Sequence, residues 1–205
     1  FHIYAENDAK IYVPRYWGIT HFGLPANDKL FTQGTPIKFG FKGTIRDTQK
    51  PIVEAYMNTV KATGCGGGII TLGCGGGKTV TSLYLMSLIG MKTLIIVHKE
   101  FLMNQWRDRI CEFLGIGDKD IGYIQGGVID VVGKSVVIGM LQSISMKEYS
   151  GGLFTDFGLV IFDECHHLGA EVFCRALFKT NCRYTLGLSA TPTRSDGLTK
   201  VFKWH

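Results

Sequence analysis

The sequence has no long hydrophobic run. Its apolar stretches, such as residues 94–97 and 159–162, are short, whereas a helix needs about 20 apolar residues to span a membrane. The first residues also lack the charged and apolar segments of a signal peptide. Apolar residues make up 45% and charged residues 19% of the 205 positions, which is typical of a folded protein with a large core. A chain of this length holds one ample domain, alone or with a small appendage.

Cysteine pairs at the spacing of a zinc site are also missing. None of the six cysteines belongs to a Cys-x-x-Cys pair, and Cys165-His166-His167 has no second cysteine at finger distance. We therefore expect no zinc ion. Cys74 and Cys165 lie inside two motifs described below, where a disulfide would obstruct them. Reduced thiols in a cytosolic or nuclear compartment are expected.

Charge of one sign is only slightly in excess. The net charge is +5 and the isoelectric point is about 8.9, which is compatible with a polyanionic partner. Many basic proteins bind no nucleic acid, so the charge gives such a partner mild support only.

The first 43 residues differ from the rest in their pattern of apolar and turn-forming residues. Apolar pieces at residues 3–5 and 10–13 flank a turn-rich Glu-Asn-Asp stretch, which predicts a β-hairpin. Glycines and prolines punctuate the pieces that follow, and residues 37–41 resemble one more strand. We predict a small β-rich lead-in segment at residues 1–43 and a larger domain at residues 44–205.

From Thr44 onward, helical patterns alternate with short apolar strands, and the glycine cluster at residues 64–68 is interpreted as a flexible connection. Such alternation predicts an α/β fold with right-handed crossovers and a mainly parallel sheet flanked by helices. Ligands bind such sheets at the carboxyl ends of the strands. The expected helices are 47–61, 78–89, 100–113, 142–147 and 170–178, and the expected strands are 69–72, 93–97, 121–124, 136–138, 159–162 and 184–188.

A glycine-rich loop that ends in Lys78-Thr79 lies between a predicted strand and a predicted helix. Glycines let successive backbone N–H groups face one anion at the start of a helix. Lys78 would reach the β- and γ-phosphates of a nucleotide, and the Thr79 hydroxyl would ligate Mg²⁺. The strict pattern has glycine where this chain has Leu72, and the alternative is a glycine-rich turn before a surface lysine. The residues assigned to phosphate binding are Gly73, Cys74, Gly75, Gly76, Gly77, Lys78 and Thr79.

Two acidic residues, Asp163 and Glu164, end an apolar strand later in the chain. Asp163 can hold Mg²⁺ directly or through water, and Glu164 can act as a general base toward the attacking water. The alternative is that these acids only begin a helix, where its dipole favours them. Counted together with the phosphate loop, they predict a nucleotide-hydrolysing site.

A further loop, Ser189-Ala190-Thr191-Pro192, again follows an apolar strand. The hydroxyls of Ser189 and Thr191 can form hydrogen bonds to the acidic motif and so signal hydrolysis to the rest of the protein. His166 would sense the state of the nucleotide by bonding toward this loop. A simple strand-ending turn is the alternative. Arg194 is either a solvated charge or a contact to phosphate.

These motifs resemble motifs I, II and III of superfamily 2 helicases, in order and at plausible spacing. The matching runs are Gly75–Thr79, Asp163-Glu164-Cys165-His166 and Ser189-Ala190-Thr191. The stretch from Ser189 to Gly197 is similar to the branch that contains the XPB-type DNA helicases and related proteins of large DNA viruses. The resemblance covers residue 44 to the end. It implies a RecA-like fold, ATP and Mg²⁺ as cofactors, and adenine binding near Arg46 and Gln49.

The resemblance also implies a nucleic-acid partner. DNA is expected, with RNA as the alternative, and the contacts would be to the phosphate backbone because a motor must step along any sequence. Lys99, Gln142, Ser143 and Arg194 are the candidate contacts, although Lys99 is equally well explained as a solvated residue at a helix start. An intracellular site is expected, in the cytoplasm or nucleus or in a viral replication or virion compartment.

Helicases of this superfamily have a second RecA-like domain that supplies arginines to the nucleotide. The chain begins without Met and stops soon after the third motif, so we expect a fragment that lacks that domain. Such arginines are worth about 10³–10⁵-fold in rate in other NTPases, and the fragment should therefore bind ATP weakly and hydrolyse it poorly.

Two other functions compete with an ATP-dependent helicase or translocase. A phosphotransferase such as a small kinase also uses a Gly-Lys-Thr loop, but it needs an acceptor site and an arginine-bearing lid that the sequence does not display. A non-enzymatic nucleic-acid-binding module with a dead nucleotide loop is the other, and intact Lys78, Thr79, Asp163 and Glu164 argue against it.

Overall fold

The computed structural model describes residues 4–27, 34–150, 152–165 and 170–191. Within these ranges the chain forms a small two-stranded sheet, a seven-stranded sheet and six α-helices. In the described part of the chain, no helix is long and apolar enough to cross a membrane.

The predicted N-terminal hairpin is confirmed. Strands β1 (Ala5–Asn7) and β2 (Lys10–Tyr12) pair antiparallel, and the Asn7 side chain accepts hydrogen bonds from the backbone N–H groups of Ala9 and Lys10 at 3.0 and 2.8 Å. Asparagine closes turns in this way because its side chain bonds to the backbone two residues on.

An unpredicted helix, α1 (Arg15–Phe22), follows the hairpin. Its Gly18 and Thr20 are poor helix formers, but tertiary contacts hold its first turn. The Arg15 guanidinium donates to the carbonyl oxygens of Arg183 and Cys182 at 2.9 and 2.8 Å. Long-range packing of this kind overrides local propensity.

The predicted strand at residues 37–41 is wrong. The Ile37 N–H bonds to the Gly90 carbonyl at 2.9 Å, and the Lys42 N–H bonds to the Phe113 carbonyl at 2.6 Å. The segment therefore runs along the ends of two helices without entering a sheet. The Phe39 side chain is buried, so the apolar alternation reflects packing against helices.

The main sheet is parallel except at one edge, as predicted. Its order is β3-β9-β8-β4-β7-β5-β6, and only the short β6 is antiparallel, to β5. Parallel neighbours place their carboxyl ends at one edge of the sheet, where ligands bind. The strands are β3 (Gly66–Thr71), β4 (Thr93–Val97), β5 (Ile121–Gln125), β6 (Val128–Ile129), β7 (Val136–Met140), β8 (Leu159–Phe162) and β9 (Tyr184–Ser189).

Five helices cover the two faces of this sheet. The first three of them end at Gly64, Gly90 and Gly115, which have φ angles of 70°, 63° and 65°. Glycine ends a helix in this left-handed conformation because it has no Cβ to clash. The helices are α2 (Lys50–Thr63), α3 (Lys78–Ile89), α4 (Glu100–Leu114), α5 (Leu141–Met146) and α6 (Ala170–Lys179).

The core is divided between the two faces of the sheet. All five residues of β4 are buried, with Ile95 facing the cluster under α3 and α4, and Leu94 and Ile96 facing the cluster under α5 and α6. A strand buried on both faces reads as a continuous apolar run, which is why the sequence identified the central strands well.

The flexible connection predicted at residues 64–68 is wrong, because Gly64 caps α2 and the glycines at 66–68 begin β3. A Cβ built on Gly67 would lie 2.1 Å from the Tyr16 ring, and one on Gly66 would lie 2.7 Å from the Tyr56 hydroxyl. Glycine in a strand commonly marks such a close approach. The glycines let α1 and α2 pack against the edge strand.

Candidate active site

Three loops meet at one edge of the sheet. Strands β3, β9 and β8 are neighbours, with Thr71 paired to Ser189 and Phe162 paired to Gly187. The glycine-rich loop, the Ser189 loop and the acidic pair leave the carboxyl ends of these strands. The fold thus brings together three motifs, the first and last of which lie more than 100 positions apart in the chain.

The glycine-rich loop has the backbone of an anion cradle. Gly75 and Gly77 have φ angles of 75° and 86°, and the Gly76 N–H bonds to the Gly73 carbonyl at 3.0 Å. A Cβ built on Gly73 or Gly75 would meet nothing within 4 Å, so the loop leaves open space beside its backbone. Helix α3 starts directly after it, and N–H groups at a helix start favour phosphate.

Lys78 lies between the loop and the acidic pair. Its ammonium donates to the Leu72 carbonyl at 3.0 Å and lies 3.8 Å from Oε1 of Glu164. The Lys78 side chain is 10% exposed and the Glu164 side chain 25% exposed. A mostly buried cation in this position would meet a phosphate bound in the loop.

Gln49 ties the segment upstream of α2 to the same loop. Its side-chain oxygen accepts a hydrogen bond from the Arg46 N–H at 2.9 Å, and its side-chain nitrogen donates to the Gly77 carbonyl at 3.2 Å. Gln49 is 2% exposed, whereas the Arg46 side chain is exposed. Both the oxygen and the nitrogen of the Gln49 amide therefore have protein partners. They lie where the adenine is expected to bind.

Asp163 is buried and held by a tryptophan that the sequence motifs did not assign to the site. The indole Nε1–H of Trp106 donates to Oδ2 of Asp163 at 2.8 Å. Burial raises the pKa of Asp163 above its ordinary value, and the neighbouring Glu164 charge adds to this rise, while the Trp106 hydrogen bond and the Lys78 ammonium oppose it. An aromatic residue on a separate helix gives no local signal of such a contact.

Glu164 has the backbone φ of 47° that non-glycine residues seldom adopt. Residues in the left-handed region cost about 1–3 kcal/mol and cluster at active sites. The turn follows β8 directly and places the Glu164 carboxylate beside the Lys78 ammonium. Its side chain is thus directed to the loop by a strained backbone.

Thr79 and Asp163 line one polar cavity of about 590 Å³, together with Gln105, Trp106, Asp108 and Arg109. A hydroxyl and a carboxylate are the hard oxygen ligands that Mg²⁺ prefers, and Mg²⁺ usually takes only one or two protein ligands beside substrate phosphates and water. The residues present therefore fit a nucleotide-bound Mg²⁺. Among the described residues, no cluster of three or more His, Cys, Asp or Glu side chains could hold a metal by itself.

Ser189 and Thr191 form a local turn at the end of β9. The Thr191 N–H donates to the Ser189 hydroxyl at 3.2 Å, and this hydroxyl donates to the Thr191 carbonyl. Ser189 is buried, and its carbonyl accepts from the Leu72 N–H at 3.3 Å. The turn is therefore fixed to the glycine-rich loop. His166 and Arg194 lie outside the described residues.

The candidate nucleic-acid contacts differ in exposure. Lys99 and Gln142 are exposed, and the Lys99 ammonium lies 5.9 Å from the centre of the Phe101 ring. Ser143 is buried, and its hydroxyl accepts a hydrogen bond from the Gly126 N–H at 3.0 Å. The structure thus gives Ser143 an internal contact, while Lys99 and Gln142 lie on the surface at the carboxyl ends of their strands.

Three features meet at this edge of the sheet: a glycine cradle with a lysine after β3, an acidic pair after β8, and a Ser-x-Thr loop after β9, which lies between these two strands. Together they define a RecA-like helicase domain of superfamily 2. Residues 42–194 match the family model described as type III restriction enzyme, res subunit. The chain belongs to this family.

Curated relatives of the chain are named as helicases and translocases. A protein of Acanthamoeba polyphaga mimivirus, provisionally named an ATP-dependent RNA helicase, is 34% identical over 206 residues that cover 100% of this chain and 39% of that protein. The XPB-type DNA 3'-5' translocase of Sulfurisphaera tokodaii is 35% identical over 158 residues, which cover 77% of this chain and 33% of the translocase. The chain thus spans well under half the length of these relatives.

Solved structures share the fold. The UvsW helicase of bacteriophage T4 has a TM-score of 0.61 at 21% identity, covering 85% of this chain and 63% of that chain. The SWI2/SNF2 ATPase core of Sulfolobus solfataricus, in complex with dsDNA, has a TM-score of 0.64 at 16% identity, covering 81% of this chain and 36% of that chain. At these identities the likeness shows the fold alone.

Proposed function

We propose that this chain is the ATP-binding motor domain of an ATP-dependent DNA helicase or translocase. The observation that carries the proposal is the meeting of Lys78, Thr79, Asp163 and Glu164 at one edge of a parallel sheet. The 3.8 Å separation of the Lys78 ammonium from the Glu164 carboxylate and the cavity shared by Thr79 and Asp163 support it. Membership of the family described as type III restriction enzyme, res subunit, and likeness to curated proteins named as helicases and translocases also support it.

Each group has a defined task in this proposal. The N–H groups of the glycine cradle and the Lys78 ammonium bind the β- and γ-phosphates, and Thr79 and Asp163 hold Mg²⁺, which neutralises charge on the phosphate oxygens. Glu164 accepts a proton from the attacking water and orients it. Gln49 and Arg46 flank the adenine, and the Ser189–Thr191 turn, with His166, relays the state of the phosphates.

The motor is proposed to need more than this chain. Residues 44–205 would be the first of two RecA-like domains, with residues 1–43 as a lead-in segment, and the second domain would supply arginines that stabilise the transferred phosphate. Arginines of this kind raise NTPase rates by about 10³–10⁵-fold. This chain by itself should therefore hydrolyse ATP slowly, and robust turnover by it would contradict the two-domain proposal.

DNA is the proposed track, bound through its phosphate backbone. The XPB-type translocase is named for DNA and the mimivirus protein for RNA, so RNA is the second candidate. The net charge of +5 suits either polymer. The proposed contacts are Lys99, Gln142 and Arg194. The proposal also includes ATP and Mg²⁺ as cofactors and an intracellular location for the protein.

The test is the rate of phosphate release from ATP by the full-length protein, without nucleic acid and with single-stranded DNA, double-stranded DNA or RNA. We expect DNA to raise the turnover rate most. Equal turnover with and without any nucleic acid would overturn the motor function. Transfer of the γ-phosphate to an acceptor other than water would instead favour a phosphotransferase.

A further inference from the structure

Trp106 is the feature near the active site that the proposed function does not use. It lies on α4, 57 positions before Asp163, and is 2% exposed. Its Nε1–H donates to Oδ2 of Asp163 at 2.8 Å, and this bond joins two buried side chains. A buried indole N–H needs an acceptor, and here the acceptor is the carboxylate of a proposed Mg²⁺ ligand.

The hydrogen bond restricts how the Asp163 carboxylate can turn. A carboxylate on a short side chain rotates broadly about its last bond, and a hydrogen bond to an ionised acceptor is stronger and shorter than one between neutral groups. The indole holds Oδ2, and the Glu164 backbone N–H is a second protein donor to the same carboxylate, so the lone pairs that remain are held in a fixed direction in which they can face a cation. Trp106 and Asp163 line the same cavity as Thr79, the other proposed Mg²⁺ ligand.

We propose that Trp106 is a positioning residue for Mg²⁺, which holds the Asp163 carboxylate in the orientation that ligates the cation. This inference rests on the proposed function of the same site. Residues that orient metal ligands in this way change metal affinity or activity by about 10–100-fold when they are replaced. A purely packing role predicts no such change once the ring volume is kept.

The test measures the affinity of the full-length protein for Mn²⁺, as a paramagnetic substitute for Mg²⁺, in the presence of ADP. Two variants remove the N–H: Trp106→Phe, and a tryptophan analogue at position 106 with sulfur in place of the ring N–H, which keeps the ring volume. Trp17→Phe, on α1, is the control, because Trp17 stacks on His21 and not on a residue of the site. The affinity for ADP is also measured in EDTA for each protein, because it shows whether the glycine cradle still binds the nucleotide when no cation is present.

We expect both position-106 variants to bind Mn²⁺ at least about tenfold more weakly, with ADP affinity in EDTA within twofold of the wild type and with Trp17→Phe unchanged. Wild-type Mn²⁺ affinity in the sulfur analogue would overturn the inference, even if Trp106→Phe failed to fold. An equal loss of metal-free ADP binding would also overturn it, since it would show a packing role. Absence of nucleotide-dependent Mn²⁺ binding in the wild type would overturn the proposed function, and this inference with it.

Discussion

The Lys78 ammonium lies 3.8 Å from the Glu164 carboxylate, across the edge of the sheet where the glycine cradle and the acidic pair meet. One residue starts α3 and the other follows β8, and they are 86 positions apart in the sequence. The cation proposed to bind phosphate and the base proposed to activate water are therefore neighbours. This contact makes the two motifs one site.

Glu164→Gln should lower the turnover number for ATP by about 10²–10⁴-fold, because the amide cannot accept the proton of the attacking water. The Michaelis constant for ATP should change little, since Lys78 and the cradle are intact. Steady-state phosphate release by the full-length protein measures both. Glu171→Gln is the control, because Glu171 is exposed and paired with Arg175 at 2.6 Å on α6. Normal turnover in Glu164→Gln would mean that the base has been assigned wrongly.

Gly77→Ala should lower the free energy of unfolding by about 1–3 kcal/mol, because Gly77 holds a left-handed φ that costs a residue with a side chain about this much. The φ angle is 86°, and a new Cβ would lie 2.3 Å from Nε2 of Gln49. Urea unfolding followed by circular dichroism gives the value. Gly73→Ala is matched to it, since that Cβ would meet nothing within 4 Å. Equal stability of the two variants would contradict the geometry given for Gly77.

Cys74 should report nucleotide binding. Its side chain is exposed in the glycine cradle, whereas Cys165, Cys174 and Cys182 are buried. A thiol reagent should label Cys74 first, and Mg²⁺–ATP should slow this labelling, because phosphates in the cradle would cover the loop. Mass spectrometry of the Glu164→Gln protein gives the rate without turnover. The half-buried Cys111 serves as an internal control. If saturating nucleotide does not change the labelling rate of Cys74, the phosphates bind elsewhere.

Stability should fall with rising pH in the alkaline range, in part through Cys174. Burial raises the pKa of this thiol from 9.0 to about 11. The unfolded chain therefore loses the proton first, and the stabilising contribution, complete below pH 9, is lost as the pH rises toward 11. One group changes the free energy of unfolding by at most about 1.4 kcal/mol per pH unit.

Urea midpoints between pH 8 and 11 check this for the wild type beside Cys174→Ala and, as an exposed control, Cys74→Ala. The Cys174→Ala curve should fall less steeply than the other two. Three parallel curves would show that the thiol of Cys174 is not buried as described.

The regular part of the fold was readable from the sequence because its signals are local. Helix α3 was predicted with its observed bounds, Lys78–Ile89, since glycines flank it, and β4 was predicted as Thr93–Val97 because both of its faces are apolar. Helix α1 was missed, since contacts of Arg15 with residues more than 160 positions away hold it.

The motifs of the site were also readable, but not their mutual geometry. Spacing and residue type identify a cradle and an acidic pair. The hydrogen bond between Trp106 and Asp163 joins α4 to the end of β8 through the tertiary fold. No local sequence pattern predicts it. The left-handed backbone of Glu164 is likewise imposed by its surroundings, because the residue type disfavours it. Ser143, an expected backbone contact, is 8% exposed, and its hydroxyl accepts a hydrogen bond from the Gly126 N–H, an internal contact that the sequence did not indicate.

The most direct test of the account is calorimetric binding of ATP to the full-length protein, with and without Mg²⁺, for the wild type and Lys78→Ala beside the exposed-lysine control Lys50→Ala. We expect one ATP per chain in the wild type and in Lys50→Ala. Lys78→Ala should bind ATP at least about tenfold more weakly, since a lost hydrogen bond to a charged group costs about 1.5–3 kcal/mol and every 1.4 kcal/mol is about tenfold in affinity. Unchanged ATP affinity in Lys78→Ala would contradict the account, because the phosphates would then lie somewhere other than the cradle beside Asp163 and Glu164.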